Sequence, residues 1–119
     1  MKLINDFFHV VSSDDKGDSF TLNPSHEIYR AHFPGNPVTP GVCLIEVVTE
    51  LMQERTKQPL RLAEVKNIKF LSPVIPQEGV VLRVTYDEIT EDAGTTHAKG
   101  SITDPTGTTT YTKFSLLFS

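Results

Sequence analysis

The segment Val42-Cys43-Leu44-Ile45-Glu46-Val47-Val48-Thr49-Glu50-Leu51-Met52-Gln53-Glu54-Arg55 constrains the fold more than any other part of the chain. It is long enough for a helix, and its apolar positions (42, 43, 44, 45, 47, 48, 51 and 52) cover most of the circumference at the N-terminal end. Such a helix is mostly buried, with a polar stripe only toward its C-terminal half. Pro34-Gly35, Pro37 and Pro40-Gly41 crowd the loop just before it. Thr39 is placed as an N-cap and Pro40 suits the first helical position.

The rest of the chain reads as strands. Phe7 to Val11 and Ser19 to Leu22 flank an Asp14-Asp15-Lys16-Gly17 turn. Ala63 to Leu71 is a strand whose alternation slips near Asn67, which predicts a bulge. Val80 to Tyr86 alternates, with 80, 82, 84 and 86 on one face. Thr96, Ala98, Gly100 and Ile102 do the same, with His97 and Lys99 on the other face. Asp104-Pro105-Thr106-Gly107 is a turn, and Thr109 to Phe118 closes the chain as a long strand. One buried helix with about six strands predicts an α+β fold in which an antiparallel sheet wraps a helix. At 119 residues, without repeat or linker, positions 1–119 form a single domain.

Charge and cysteine content exclude whole classes of function. Eleven basic against fifteen acidic residues leave a net charge of −4, which argues against nucleic-acid binding. One cysteine forms no disulfide framework and fits a reducing, cytoplasmic setting. No apolar run is long enough for a membrane span, and the first residues lack the apolar core of a signal peptide. His9, His26 and His97 share no metal-ligand spacing, and Cys43 reads as a small core residue. No phosphate-binding or dinucleotide fingerprint occurs, so neither a metal nor a cofactor is expected.

Three polar features can carry chemistry. His32 stands at the head of His32-Phe33-Pro34-Gly35-Asn36-Pro37-Val38-Thr39-Pro40-Gly41. An imidazole titrates near neutrality and can act as a general base, or can simply bond to nearby backbone. Glu46 lies in the apolar part of the helix, where burial raises a carboxyl's pKa and suits it to be a general acid. Glu46, Glu50, Gln53 and Glu54 also fall on one helical stripe, the pattern of an ordinary solvated face. Gly41 opens the helix, where unpaired N–H groups can hold a developing oxyanion.

Taken together, His32-Phe33-Pro34-Gly35-x-Pro37-Val38-x-Pro40-Gly41-Val42-x-x-x-Glu46 resembles the active-site segment of the hotdog-fold β-hydroxyacyl-acyl carrier protein dehydratases. Asn67-Ile68-Lys69-Phe70-x-x-Pro73-Val74-x-Pro76 is similar to the strand and turn that follow the helix in that family. The likeness runs from about Phe20 to Phe118. It implies a hotdog fold and removal of water from a 3-hydroxyacyl thioester, giving the trans-2-enoyl thioester. His32 would take the α-proton, Glu46 of a partner subunit would protonate the leaving hydroxyl, and the Gly41 N–H would hold the enolate oxygen. Phe33, Pro40 and Val42 would line the substrate path. The resemblance also implies an acyl substrate on the 4′-phosphopantetheine arm of acyl carrier protein, and a homodimer or an oligomer of dimers.

The chain departs from that family in three places. Ala31 stands where glycine usually precedes the histidine, and Ala serves there only if φ stays negative. Glu50 replaces the glutamine of the housekeeping enzymes, so two carboxyls sit one helical turn apart and one pKa should rise. The Pro-His-Arg-x-Pro-Phe segment of those enzymes is absent. These differences predict a short accessory member, of the kind found in specialised lipid or aryl polyene pathways. Two other readings share the fold: an acyl thioesterase, and a non-catalytic subunit of a heteromeric dehydratase. Arg55, Lys57, Arg61, Lys66 and Lys69 concentrate basic charge that could steer an acidic carrier protein, or could be an ordinary solvated surface.

Overall fold

The computed structural model describes residues 2–31 and 35–119. Six strands, β1 (Phe8–Ser13), β2 (Gly17–Leu22), β3 (Leu62–Phe70), β4 (Val81–Asp92), β5 (Thr95–Thr103) and β6 (Thr110–Phe118), form one sheet. Its order is β1-β2-β4-β5-β6-β3, and every pairing is antiparallel. A four-residue helix, α1 (Ile28–Ala31), and the long helix, α2 (Gly41–Thr56), fall between β2 and β3. Alternation decides which way each strand faces. Phe20 and Leu22, Leu82, Val84 and Tyr86, Ala98 and Ile102, and Phe114, Leu116 and Phe118 all point to one face and are buried. They form a single core with Cys43, Leu44, Val47, Val48, Leu51 and Met52 of α2. The predicted bulge is present as register shifts in β3 on either side of Val65.

Several boundaries differ from the sequence reading, each for a physical reason. Thr39 does not cap α2. Pro40 occupies that position with extended backbone, and the Thr39 hydroxyl instead meets Tyr29 Oη at 3.0 Å. The Thr39 N–H donates to the Val74 carbonyl, tying the loop to the segment after β3. β4 runs on to Asp92 because β5 supplies pairing partners, although residues 87–92 are exposed and so carry no hydrophobic alternation. Ala93 and Gly94, both at positive φ, turn the chain into β5. The helix α1 is a single turn and is too short for periodicity to reveal.

Arg55 also departs from expectation. It does not join a basic surface but turns inward, donating to Asp18 Oδ1 and to the Asp14 and Gly17 carbonyls at 2.9 Å each. Its guanidinium lies 5.0 Å from the centre of the Tyr86 ring, and Tyr86 Oη donates to the other oxygen of Asp18. The last turn of α2 is thereby fastened to β2 and β4. Replacing Asp18 with alanine leaves a largely buried cation unpaired. Asp18→Ala should lower unfolding stability by about 3 kcal/mol in urea titration, and adding Arg55→Met should restore part of the loss.

Candidate functional site

The first turn of α2 lies against the turn that ends β3. At Gly41 the Phe70 ring rests on the Cα side, in the space a Cβ would fill, so a side chain there would have to displace that exposed ring. Val38, Thr39, Pro40, Gly41 and Leu44 form one wall of a cleft of about 310 Å³, and Phe70 to Val74 form the other. Within α2 the Pro40 carbonyl accepts from the Cys43 and Leu44 amides, at 3.0 and 3.2 Å. The Gly41 and Val42 N–H groups have no acceptor among the described residues. They are first-turn amides at the positive end of a 16-residue helix. The Val42 side chain is 70 % exposed, one turn before Glu46 on the same side of the helix.

Glu46 is half-buried. Desolvation foremost, with the Glu50 carboxyl one helical turn away, pushes its carboxyl up to about 7. A carboxyl in that state can donate a proton at neutral pH. Burial foremost, with the charge of Glu46, also pushes the Cys43 thiol up, consistent with an inert core cysteine.

Glu50 contradicts the solvated-stripe reading. It is 1 % exposed, and its carboxylate accepts the Leu3 amide on both oxygens and the Ile4 amide on Oε1, each at 2.8 Å. Sequence spacing could not reveal this, because the partners are backbone groups 46 and 47 residues away. Glu54, further along the same stripe, is exposed as expected.

His32 and Phe33 lie outside the described residues. Ala31 is the last residue of α1 and is not among the positive-φ residues, so alanine meets no backbone penalty there. His26 bonds Asp6 and the Ile28 amide, and His97 bonds Ser115 at 2.7 Å, so both have structural partners. No cluster of three metal-ligating side chains occurs among the described residues. A larger cleft of about 630 Å³ lies at the other end of α2, lined by Asp14, Asp15, Asp18, Glu54, Arg55 and Lys57 among others. Its charged lining is unsuited to an acyl chain. Lys69, Lys99 and Lys113, together with Asp87, instead line a depression on the outer face of the sheet.

The raised carboxyl of Glu46 has a sign that can be tested. It binds its proton more tightly in the folded chain than in the unfolded one, so its stabilising effect is present below the unfolded value and is lost as pH rises through about 7. Wild type should lose roughly 1 to 3 kcal/mol of stability from this source between pH 4.5 and 7.5. Glu46→Gln should flatten that slope in a series of thermal melts across the range.

Comparison with known proteins gives a consistent result. The sequence model of the ApeI-like family, described as ApeI dehydratase, matches residues 11–103, from β1 to the end of β5. A 3-hydroxyacyl-(acyl-carrier-protein) dehydratase FabZ from Oenococcus oeni is 28 % identical over 86 % of this chain and 78 % of its own length. The FabZ of Brucella ovis is 33 % identical over 54 % of this chain, a match that spans 45 % of that enzyme. Among solved structures, the dehydratase heterocomplex ApeI:P from Xenorhabdus doucetiae superposes with a TM-score of 0.63 at 20 % identity, covering 92 % of this chain and 93 % of that one. A thioesterase from Haemophilus influenzae superposes with a TM-score of 0.61 at 18 % identity, over 94 % and 76 % of the two chains. These superpositions establish the hotdog fold, and the family match over most of the length identifies the chain as a member of the ApeI-like dehydratase family.

Proposed function

We propose that the protein dehydrates a 3-hydroxyacyl thioester carried on acyl carrier protein. The observation that carries this reading is Glu46: a half-buried carboxyl able to hold its proton near neutrality, on the helix whose first amides have no acceptor among the described residues and can donate to an anion. The α-proton of a thioester is weakly acidic, and hydroxide is a poor leaving group, so the reaction needs a base, an acid and an oxyanion donor together. His32 takes the α-proton, and the Gly41 or Val42 N–H stabilises the enolate oxygen by about 3 kcal/mol. The enolate then re-forms the carbonyl as the double bond develops. The β-hydroxyl leaves as water with the proton of Glu46.

The site is read as complete only in a pair of subunits. β3 is an edge strand with Leu62, Val65 and Phe70 exposed, and its outer edge has no partner strand among the described residues. An unpaired, partly apolar edge favours pairing with a second hotdog subunit. This supports His32 of one subunit facing Glu46 of the other. The lysines around the outer depression, in a chain of net charge −4, offer a landing surface for an acidic carrier protein. Thioesterase activity is the second reading, favoured by the shared fold of the Haemophilus enzyme.

Mass spectrometry of a 3-hydroxyacyl carrier protein incubated with the enzyme separates these readings. Loss of one water is expected with wild type, abolished in His32→Ala and slowed roughly 100- to 10,000-fold in Glu46→Gln. Free acid with a bare thiol on the carrier would identify a thioesterase. No product at any chain length, with activity restored by a second hotdog subunit, would identify one half of a heteromeric dehydratase.

A further inference from the structure

Glu50 is a buried carboxylate for which the reaction above has no use. One turn before it on α2 stands a carboxyl that the reaction does use. Two glutamates at this spacing normally repel, and a sequence that places one of them in a core should be penalised unless something compensates. The compensation is visible. The N-terminal segment folds into a tight turn in which the Leu3 carbonyl accepts the amides of Asp6, Phe7 and Phe8, at 3.1, 2.7 and 3.3 Å. Asn5, at positive φ, donates its own amide to the Phe8 carbonyl at 2.7 Å. Leu3 and Phe7 are buried, which anchors the turn, and its two leading N–H groups point at Glu50. Three contacts of 2.8 Å engage both carboxylate oxygens. That arrangement suits an acceptor carrying charge.

We propose that Glu50 is a positioning residue for proton transfer at Glu46: held by the backbone amides of Leu3 and Ile4, its carboxylate accepts the Glu46 O–H and keeps that proton ready for donation. The N-terminal turn thus belongs to the catalytic apparatus although it need not touch substrate. The glutamine of the housekeeping enzymes could accept the same hydrogen bond but would not add a negative charge. The inference rests on Glu46 being the acid. Other charged groups do not supply the effect. Lys2, from the N-terminal segment, acts on Glu46 in the opposite direction, and Cys43 is a thiol one turn earlier on α2. The other buried acid among the described residues, Asp18 on β2, is engaged by Arg55 and Tyr86.

The test reads the proton directly, so its result is independent of substrate. In carbonyl carbon and amide nitrogen NMR titrations of wild type, the Glu46 carboxyl and the Leu3 and Ile4 amides should share one transition near pH 7. In Glu46→Gln the amide transition should vanish. In Glu50→Gln the Glu46 midpoint should fall by about one unit or more. Dehydration, which needs the protonated form, should then fail at correspondingly lower pH. Amides at positions 3 and 4 that stay flat while Glu46 titrates would overturn the proposal. So would a Glu46 midpoint unmoved in folded Glu50→Gln. Should Glu50→Gln not fold, the wild-type and Glu46→Gln amide titrations still decide. A shared transition in a protein that never dehydrates any substrate would leave the clamp standing and remove the proposed reaction instead.

Discussion

The structure depends on enclosing one helix that is apolar on nearly every side. A flat sheet covers only one side of a helix, so a helix with this pattern needs a sheet that bends round it. Strands β2, β4, β5 and β6 contribute alternate residues to that concave face, while β1 adds Phe8 and β3 only the partly buried Ile68. Val47 and Met52 reach complete burial this way, and each such side chain contributes roughly 1.5 to 3 kcal/mol. The same enclosure makes polar groups on the helix expensive. Each that enters must bring its own partners.

Two groups on α2 meet that demand with different partners. Arg55, in the last turn, finds Asp18 and two carbonyls of the β1–β2 hairpin. Glu50, nearer the middle, finds the amides of Leu3 and Ile4. The cation sits toward the negative end of the helix dipole, where it is favoured. Both sets of partners come from residues that precede their helix residue by 37 positions or more. The first part of the chain therefore supplies polar partners for the helix in addition to its share of the apolar core, Phe7, Phe8, Phe20 and Leu22. Glu46 lies between an apolar environment and that polar patch, which is why its carboxyl is half-buried and its proton retained.

The architecture was largely legible in the sequence because it follows from periodicity. Leu82, Val84 and Tyr86, and Ala98 and Ile102, alternate as residues with one wet and one dry face must. The slip near Asn67 marked a real change of register. Where burial was absent, periodicity had nothing to report, and the outer half of β4 escaped notice for that reason. Thr39 has the residue type of a helix cap but also has competing partners. The Tyr29 hydroxyl and Val74 carbonyl take it into the loop, leaving Pro40 to begin the helix. At the site, residue types and their spacing singled out Glu46 and Gly41, since buried acids and helix N-termini have general chemical meaning. Glu50 was legible only as a neighbour, and its spacing pointed to solvent.

The order of apolar and polar residues along α2 and the strands by itself determined that a helix would be wrapped by an antiparallel sheet, and the motif from His32 to Glu46 marked the family. Those properties are local: they depend on neighbours one turn or two residues away, and such neighbours are written consecutively in the chain. What only the tertiary structure decided is the company each polar group keeps. Glu50 reads as a member of a solvated stripe and Arg55 as part of a basic surface, yet both are turned inward by backbone groups from the first eighteen residues. Gly41 reads as a turn residue, yet the Phe70 ring occupies the space a side chain would take there. Hydrogen-bond donors on the backbone are the same at every position, so no residue type announces which of them will meet a carboxylate. Only the folded path of the chain selects them.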